Sequence, residues 1–331
     1  MAGRRRKKSG GRSYAWRYRG RIVACVFVEV IIICALVIMI GWNKGVKEWF
    51  EQFEQPVLKE VDISGINSPN AILMQARGGK ILGEINGEAQ IYPASMTKIM
   101  TVILGIENFD DLDEKITLTD EMFSGLYEQN ATQAGFQPGE EVRVIDLLYG
   151  AMLPSGAECC IALADTISGS EADFAELMNK KARKLGMENT HFCDSTGLHN
   201  PDHYSTVKDI AVLMKYCIKN DTFREIVETS RHSTGVTNIH PDGITYYSTM
   251  FKNLSDPTVT GGKILGGKTG YTSEAGHCLV SFAEIEGREY IFVSAGASGA
   301  EGNTIPHIQD AVTVYNRVGA AIEAKMNNNN K

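Results

Sequence analysis

The order of strand-like and helix-like patterns restricts the fold more than any other feature of this chain. Two short apolar stretches, residues 71–76 and 80–85, are joined across Arg77-Gly78-Gly79 and predict a β-hairpin. A run of helical patterns follows, and strand patterns return only after residue 240. This order favours an α/β (α+β) domain in which helices flank a mostly antiparallel sheet. The two ends of the domain meet in that sheet, and a helical insertion lies between them.

Several predicted elements carry their own boundary signals. The pattern Ser170-x-x-Asp173 caps a helix that ends at Gly186. Strands are predicted over residues 243–251 and 278–297, and the second of these is a hairpin that turns at Glu286-Gly287. Further helices are predicted over residues 95–108, 141–153, 157–168, 205–220 and 305–322.

An apolar stretch near the N-terminus, residues 22–42, is interrupted only by Glu29 and is long enough to span a bilayer. Nine Lys and Arg residues and no acidic residue precede it, which favours a cytoplasmic N-terminus. A cleaved signal peptide is the alternative, although residues 41–49 contain no convincing cleavage site. We predict a basic cytoplasmic segment over 1–21, a single-pass cell-membrane anchor over 22–42, a juxtamembrane stem over 43–60, an extracytoplasmic domain over 61–323 and a polar, disordered tail over 324–331.

The charge of the remaining chain excludes one class of partner. Nine of the 33 Lys and Arg residues lie in residues 1–21, which leaves 24 basic residues against 40 Asp and Glu. A body this acidic repels phosphates, so nucleic-acid binding is not expected. The five cysteines beyond residue 42 match no zinc-site spacing and are predicted to be isolated thiols, with a disulfide among them as the open alternative.

The sequence "YPASMTK" places Ser95 three residues before Lys98, at the start of an apolar helical run. Residues i and i+3 lie on the same face of a helix, so the two side chains can meet. A serine hydroxyl becomes a nucleophile only when a base removes its proton, and a lysine serves as that base when its amine is neutral. Alone, this spacing is also that of a solvated lysine on an ordinary helix.

Two further motifs bear on the role of Ser95 and Lys98. Ser155 lies in "MLPSGAE", a sharp turn between two predicted helices, and Lys268-Thr269-Gly270 lies in "GGKTGYTSEAG". With "LLYGAMLPSG" and "HYSTVKDIAVLM", the set resembles the serine-type D-alanyl-D-alanine carboxypeptidases, the low-molecular-mass penicillin-binding proteins. The resemblance covers residues 68–320 and implies a β-lactamase/transpeptidase-like fold with its catalytic domain over 61–323.

The resemblance implies a catalytic role for Ser95, Lys98 and Ser155. Ser95 would attack the carbonyl between the two terminal D-alanines of a peptidoglycan stem peptide, and Lys98 would accept its proton. Ser155 would relay a proton to the leaving D-alanine. Water would then hydrolyse the acyl-enzyme, and β-lactams would acylate the same serine. No cofactor and no metal is required.

Substrate binding is implied for the Lys-Thr-Gly motif and the residue after it. Lys268 would bring a second positive charge, which helps keep Lys98 neutral and attracts the substrate carboxylate. Thr269 would bind that carboxylate, and Gly270 would let the substrate backbone approach closely. The backbone N–H groups of Ser95 and Tyr271 would form the oxyanion hole.

One position departs from the family pattern. The middle motif ends in Asn in the family, whereas here it is Ser155-Gly156-Ala157. Glu158 follows and is predicted to cap the next helix, the alternative being that it reaches the active site. The departure leaves a catalytically weakened wall-binding or scaffold protein of the same fold as one alternative. A β-lactamase is the other, although no "E-x-x-x-N" segment lies between Ser155 and Lys268.

Two histidines, His199 and His203, share a Pro-containing loop. Their spacing suggests a metal pair, but they do not lie on one helix face, and the zinc-peptidase pattern is missing. We therefore predict that they tether the loop or are solvated. Asp194 and Ser195 in "CDSTGLHN" are predicted to shape the same loop near the active site rather than to act in catalysis.

Overall fold

The structure, a computed structural model, describes residues 58–254, 256–299 and 305–329. The predicted basic segment, the predicted membrane anchor and residues 43–57 of the predicted stem lie outside these ranges. Within them, none of the helices combines the length and the apolar character that crossing a bilayer requires.

The main sheet of the described chain has six strands in the order β2-β1-β10-β9-β8-β7. Two small two-stranded sheets, β3-β4 and β5-β6, lie outside it. The strands are β1 (Asn70–Gln75), β2 (Ile81–Ile85), β3 (Lys115–Thr117), β4 (Glu141–Arg143), β5 (Arg231–Ser233), β6 (Thr245–Tyr247), β7 (Thr258–Val259), β8 (Gly262–Thr272), β9 (Gly276–Ile285) and β10 (Arg288–Ala297).

Most of the described helices lie between β2 and β7, as the order of patterns predicts. Short 3₁₀ turns occupy Ala94–Thr97 and Asp120–Phe123. The α-helices are α1 (Lys98–Asn108), α2 (Val144–Met152), α3 (Ala157–Ser168), α4 (Glu171–Leu185), α5 (Val207–Cys217), α6 (Asp221–Glu228), α7 (Thr249–Asn253) and α8 (Pro306–Asn329).

The two ends of the domain meet where β1 pairs antiparallel with β10, with Asn70 opposite Ala295. This pairing confirms the predicted antiparallel sheet with a helical insertion. The β9–β10 hairpin turns at Glu286 and Gly287, whose φ angles of 49° and 67° are both positive. Two such residues form the turn whose twist matches the flanking strands.

The sheet separates two apolar clusters. On one side lie α1 and most other helices of the insertion, whereas Met250 of α7 belongs to the second cluster; α1 is buried at every position from Lys98 to Gly105. On the other side α8 presents Ala311, Val314, Tyr315, Val318 and Ile322, a spacing that keeps them on one helix face. The N-terminal end of β8 belongs to the second cluster, while its C-terminal end passes the start of α1, where the chemistry-bearing motifs meet.

Three predicted boundaries are wrong. The helix predicted over 141–153 begins only at Val144, because Glu141–Arg143 pairs with β3 as strand β4. The strand predicted over 243–251 ends at Tyr247, because Ser248 accepts a hydrogen bond from the N–H of Phe251 at 3.4 Å and caps α7. The closing helix continues to Asn329, so the predicted disordered tail over 324–331 is helical for most of its length. Met326 still packs against the core, which extends the helix past its strongest apolar residues.

Candidate active site

Ser95 lies in the 3₁₀ turn that opens α1, and Lys98 is the first residue of α1. The Lys98 amine is 3.1 Å from Ser95 Oγ, which confirms that the two side chains meet. Ser95 is partly exposed, whereas Lys98 is 3% exposed. Ala94, directly before Ser95, has φ 47°, a left-handed conformation that costs a non-glycine residue about 1–2 kcal/mol. The turn thus presents a reachable hydroxyl over a buried amine.

The Lys98 amine has a second partner that the sequence motifs do not reveal, the backbone carbonyl of Thr196. It donates to that oxygen at 2.5 Å. A carbonyl only accepts hydrogen bonds, so this contact uses an N–H of the amine. The contact holds the amine nitrogen in place beside Ser95 Oγ.

Ser155 and Lys268 form the second pair of the site. Ser155 lies between α2 and α3 in a left-handed conformation, φ 74°, and is 6% exposed. Lys268 lies on β8, is 1% exposed, and donates to Ser155 Oγ at 3.0 Å and to the Thr269 carbonyl at 2.8 Å. The sheet therefore supplies an amine to a hydroxyl that the helical insertion carries.

Burial lowers the pKa of Lys268 well below the ordinary lysine value, and the positive charge of Lys98 lowers it further. Without bound substrate, the positively charged form of Lys268 is therefore disfavoured, although the resemblance assigns a positive charge to this residue. A bound carboxylate is the group that restores it, because an opposite charge favours the ammonium form.

The Lys-Thr-Gly strand runs alongside the nucleophile turn. A Cβ added at Gly270 would lie 3.1 Å from the Ser95 backbone nitrogen and 3.2 Å from the Pro93 oxygen, so a side chain here would push the nucleophile turn away by a few tenths of an ångström. Thr269 Oγ1 is 2.7 Å from Thr249 Oγ1, and Tyr271, 61% exposed, contacts the His277 ring. The structure thus brings the predicted site residues of β8 beside Ser95, Lys98 and Ser155.

Ala157 opens α3 and is 1% exposed, and its N–H donates to the Thr132 carbonyl at 2.8 Å. The prediction that Glu158 caps α3 is wrong. Glu158 is fully buried, and its Oε1 accepts from the N–H groups of Ala134 and Gly135 at 2.6 and 3.0 Å. Glu158 therefore fixes the loop of Ala134 and Gly135 against the Ser155 turn.

The loop 194–200 is organised by Asp194, as predicted for this residue. Asp194 Oδ1 accepts from the N–H groups of Thr196 and Gly197, both at 2.7 Å, and from Thr196 Oγ1 at 2.8 Å. Ser195 is fully buried, and its hydroxyl donates to Glu171 at 2.6 Å. These contacts place the Thr196 carbonyl at Lys98.

The histidines and cysteines are the remaining candidates for binding a metal ion. Among the described residues, no three or more His, Cys, Asp or Glu side chains are grouped so that they could hold one. His203 is 2% exposed and bonded to Asp194 and Thr97, whereas His199 packs edge-on against Tyr92. The five cysteines of the described residues are free thiols, and only Cys193 is partly exposed.

Comparison with known proteins agrees with this geometry. The family model for D-alanyl-D-alanine carboxypeptidase (Peptidase S11) matches residues 57–299. The chain is 34% identical over 231 residues to D-alanyl-D-alanine carboxypeptidase DacF of Bacillus subtilis, covering 69% of this chain and 57% of that protein. It is 35% identical over 236 residues to the D-alanyl-D-alanine carboxypeptidase of a Streptomyces species, strain K15, covering 69% and 78%.

The crystal structure of the Streptomyces K15 DD-transpeptidase superimposes with a TM-score of 0.69 at 30% identity, covering 79% of this chain and all of that one. The fold is therefore the penicillin-binding, transpeptidase-type α/β fold. The chain spans little more than half the length of the Bacillus subtilis relative. The family model alone accounts for well over half of the present chain, so the chain belongs to the D-alanyl-D-alanine carboxypeptidase family, Peptidase S11.

Proposed function

We propose that this protein is a serine D,D-carboxypeptidase that removes the terminal D-alanine from peptidoglycan stem peptides. The observation that carries the proposal is the convergence of two Ser–Lys pairs. Ser95 Oγ lies 3.1 Å from the Lys98 amine, and Ser155 Oγ lies 3.0 Å from the Lys268 amine. The strand that carries Lys268, β8, also carries Gly270, which lies against the Ser95 backbone.

Acylation begins when Lys98 accepts the Ser95 proton and Ser95 Oγ attacks the penultimate D-alanine carbonyl. The developing oxyanion is stabilised by the N–H groups of Ser95 and Tyr271, each worth roughly 3–4 kcal/mol in related sites. Lys268 and Thr269 bind the terminal carboxylate, whose charge stabilises the ammonium form of Lys268. Ser155, bonded to Lys268, lies where it can pass a proton to the leaving amine.

Deacylation decides which reaction the protein performs. Attack by water gives a carboxypeptidase, and attack by a second peptide's amine gives a transpeptidase. The second candidate is favoured by the likeness to the solved Streptomyces DD-transpeptidase, at 30% identity. Both reactions proceed through the same acyl-enzyme on Ser95, so they are separated by the acceptor and not by the nucleophile.

We further propose that residues 22–42 anchor the protein in the cell membrane, with residues 1–21 in the cytoplasm and the catalytic domain on the outer side. The nine basic residues before the apolar stretch support this orientation. Peptidoglycan lies outside the membrane, so the proposed substrate and the proposed placement agree. Protease protection of intact cells, followed by mass spectrometry of the N-terminal peptide, tests the anchor against a cleaved signal peptide.

The activity is tested by incubating the full chain in detergent with fluorescent penicillin and with a pentapeptide ending in D-Ala-D-Ala. We expect stable labelling of Ser95 and release of free D-alanine, with neither in Ser95→Ala. Addition of glycylglycine as an amine acceptor separates the two candidates, because a transpeptidase forms the new peptide at the expense of hydrolysis.

Other outcomes identify the alternatives. Labelling without release of D-alanine or transfer indicates the wall-binding or scaffold protein that Ala157 suggests. Rapid turnover of penicillin without stable labelling indicates a β-lactamase. If Ser95 is not labelled at all, the proposal fails.

A further inference from the structure

A buried hydrogen-bonded chain begins at Thr97, the residue directly before Lys98. Thr97 Oγ1 is 2.9 Å from His203 Nε2, and His203 Nδ1 is 3.1 Å from Asp194 Oδ2. Thr97 is fully buried and His203 is 2% exposed. Both side chains are therefore shielded from solvent.

The series of hydrogen bonds leads from Asp194 back to Lys98, the residue next to Thr97, through the backbone of Thr196. Asp194 Oδ1 accepts from the N–H and hydroxyl of Thr196, and the Thr196 carbonyl accepts from the Lys98 amine at 2.5 Å. Lys98 follows Thr97 in sequence, so the contacts close a ring. We name Thr97, His203 and Asp194 the Thr–His–Asp ring. The ring fixes the position of the one carbonyl that orients the catalytic amine.

The charge of Asp194 determines which atoms of the Thr–His–Asp ring donate and which accept. Burial raises the pKa of Asp194, but the hydrogen bond and charge of His203 and the donors of Thr196 and Gly197 outweigh it and lower the pKa to about 2. Asp194 is therefore a carboxylate and only accepts. His203 can bond to it only by donating from Nδ1, and His203 Nε2 lies 2.9 Å from the Thr97 hydroxyl. The N–H of Cys193, 3.3 Å from Nδ1, would need that nitrogen to accept instead, so a proton on Nδ1 is the condition on which the ring depends.

We propose that Thr97, His203 and Asp194 are positioning residues that aim the Lys98 amine at Ser95 through the Thr196 carbonyl. This inference rests on the proposed function, in which Lys98 is the base. None of the three touches Ser95 Oγ or the Lys268 pair in the contacts described here. Their loss therefore affects the proton transfer and not the binding of the substrate carboxylate.

The matched variants are Thr97→Val and Thr97→Ser in the full chain. Valine keeps the branched shape of threonine and removes the hydroxyl, whereas serine keeps the hydroxyl. We expect Thr97→Val to reduce the rate constant of Ser95 acylation by fluorescent penicillin about tenfold or more, since small misplacement of a catalytic group has effects of that size. The KM for the D-Ala-D-Ala peptide should stay within about twofold. Thr97→Ser should recover most of the rate.

The inference is overturned if Thr97→Val acylates at the wild-type rate, or if Thr97→Ser is as slow as Thr97→Val although both show the wild-type melting temperature. A second measurement does not depend on activity or on the folding of a variant. In wild-type protein labelled with nitrogen-15 histidine, the NMR spectrum should show His203 with its proton on Nδ1. A proton on Nε2 instead would break the ring and reject the proposal.

The two proposals fail in different ways. If the wild type is labelled by penicillin but releases no D-alanine, the proposed activity is wrong, and the acylation rates of the Thr97 variants still judge the ring. If the wild type is not labelled, the proposed activity fails and the His203 spectrum decides whether the ring exists.

Discussion

The Lys268 amine donates to Ser155 Oγ at 3.0 Å, although the two residues are 113 positions apart in the sequence. Lys268 belongs to β8 and Ser155 to the turn between α2 and α3, so this bond joins the sheet to the helical insertion. Both side chains are nearly inaccessible to solvent. The candidate active site therefore lies at the seam of the two parts of the fold, and groups from both are needed to complete it.

Replacing Lys268 with Met should separate function from stability. Burial already lowers the pKa of this amine well below its ordinary value, so the native state bears the cost of desolvating it. An apolar side chain of similar length avoids that cost but leaves the Ser155 hydroxyl and the Thr269 carbonyl without their donor. The two effects oppose each other, so we expect the free energy of unfolding to stay within about 2 kcal/mol of wild type. The acylation rate should fall about a hundredfold.

The control is Lys263→Met, an exposed position on the same strand, which should change neither quantity. Chemical denaturation and fluorescent penicillin labelling measure the two effects. A large loss of stability in Lys268→Met would mean that the amine is structural, contrary to its assignment to carboxylate binding.

Ser155 should reveal strain stored at the site. Its φ of 74° is left-handed, which costs alanine about 1–2 kcal/mol and glycine almost nothing. Ser155→Ala and Ser155→Gly both remove the hydroxyl, so both should lose activity to the same extent. We expect Ser155→Gly to be more stable than Ser155→Ala by about 1 kcal/mol in urea denaturation. Equal stabilities would show that the turn relaxes without its strained conformation.

Local signals made much of this molecule predictable. Ser95 and Lys98 could be paired because a helix fixes the distance between residues three apart. Ser170 and Gly186 mark the ends of α4 as capping rules require. The Thr196 carbonyl could not be found in this way, because any residue type supplies a backbone oxygen. The role of Glu158 is equally hard to predict, because its partners, Ala134 and Gly135, depend on tertiary packing and not on the adjacent helix end.

Glu158 should make stability depend on pH in the direction opposite to a typical surface carboxylate. Burial raises its pKa above the ordinary value of 4.5, although backbone N–H groups oppose the shift. The folded state thus binds the proton more tightly than the unfolded state. This contribution is fully present below pH 4.5 and is lost as the pH rises through the folded-state pKa.

Glu158→Gln stays neutral at every pH and retains an oxygen for the Ala134 and Gly135 N–H groups. Its free energy of unfolding relative to wild type should therefore increase as the pH rises from 4 to 8. Urea denaturation across that range measures the difference, with Glu176→Gln at an exposed position as the control. A difference that shrinks toward pH 8 would indicate that the folded protein favours the carboxylate.

Gly197 tests how closely the loop 194–200 must approach the nucleophile turn. Gly197 and Gly169 have nearly the same left-handed φ, 80° and 82°. A Cβ at Gly197 would lie 1.9 Å from the Ala94 oxygen and 2.8 Å from Thr97 Oγ1, whereas a Cβ at Gly169 would meet nothing within 4 Å. Gly169→Ala therefore bears only the conformational cost of about 1–2 kcal/mol.

Gly197→Ala bears the same conformational cost plus a steric clash with the backbone before Ser95. We expect it to lose about 3 kcal/mol or more of unfolding free energy, and its remaining folded fraction to acylate at least tenfold more slowly. Denaturation curves and penicillin labelling of the folded protein measure both effects. If the two glycine variants lose the same free energy, the loop moves away from Ala94 at little cost. The position of the Thr196 carbonyl against Lys98 would then not depend on that close approach.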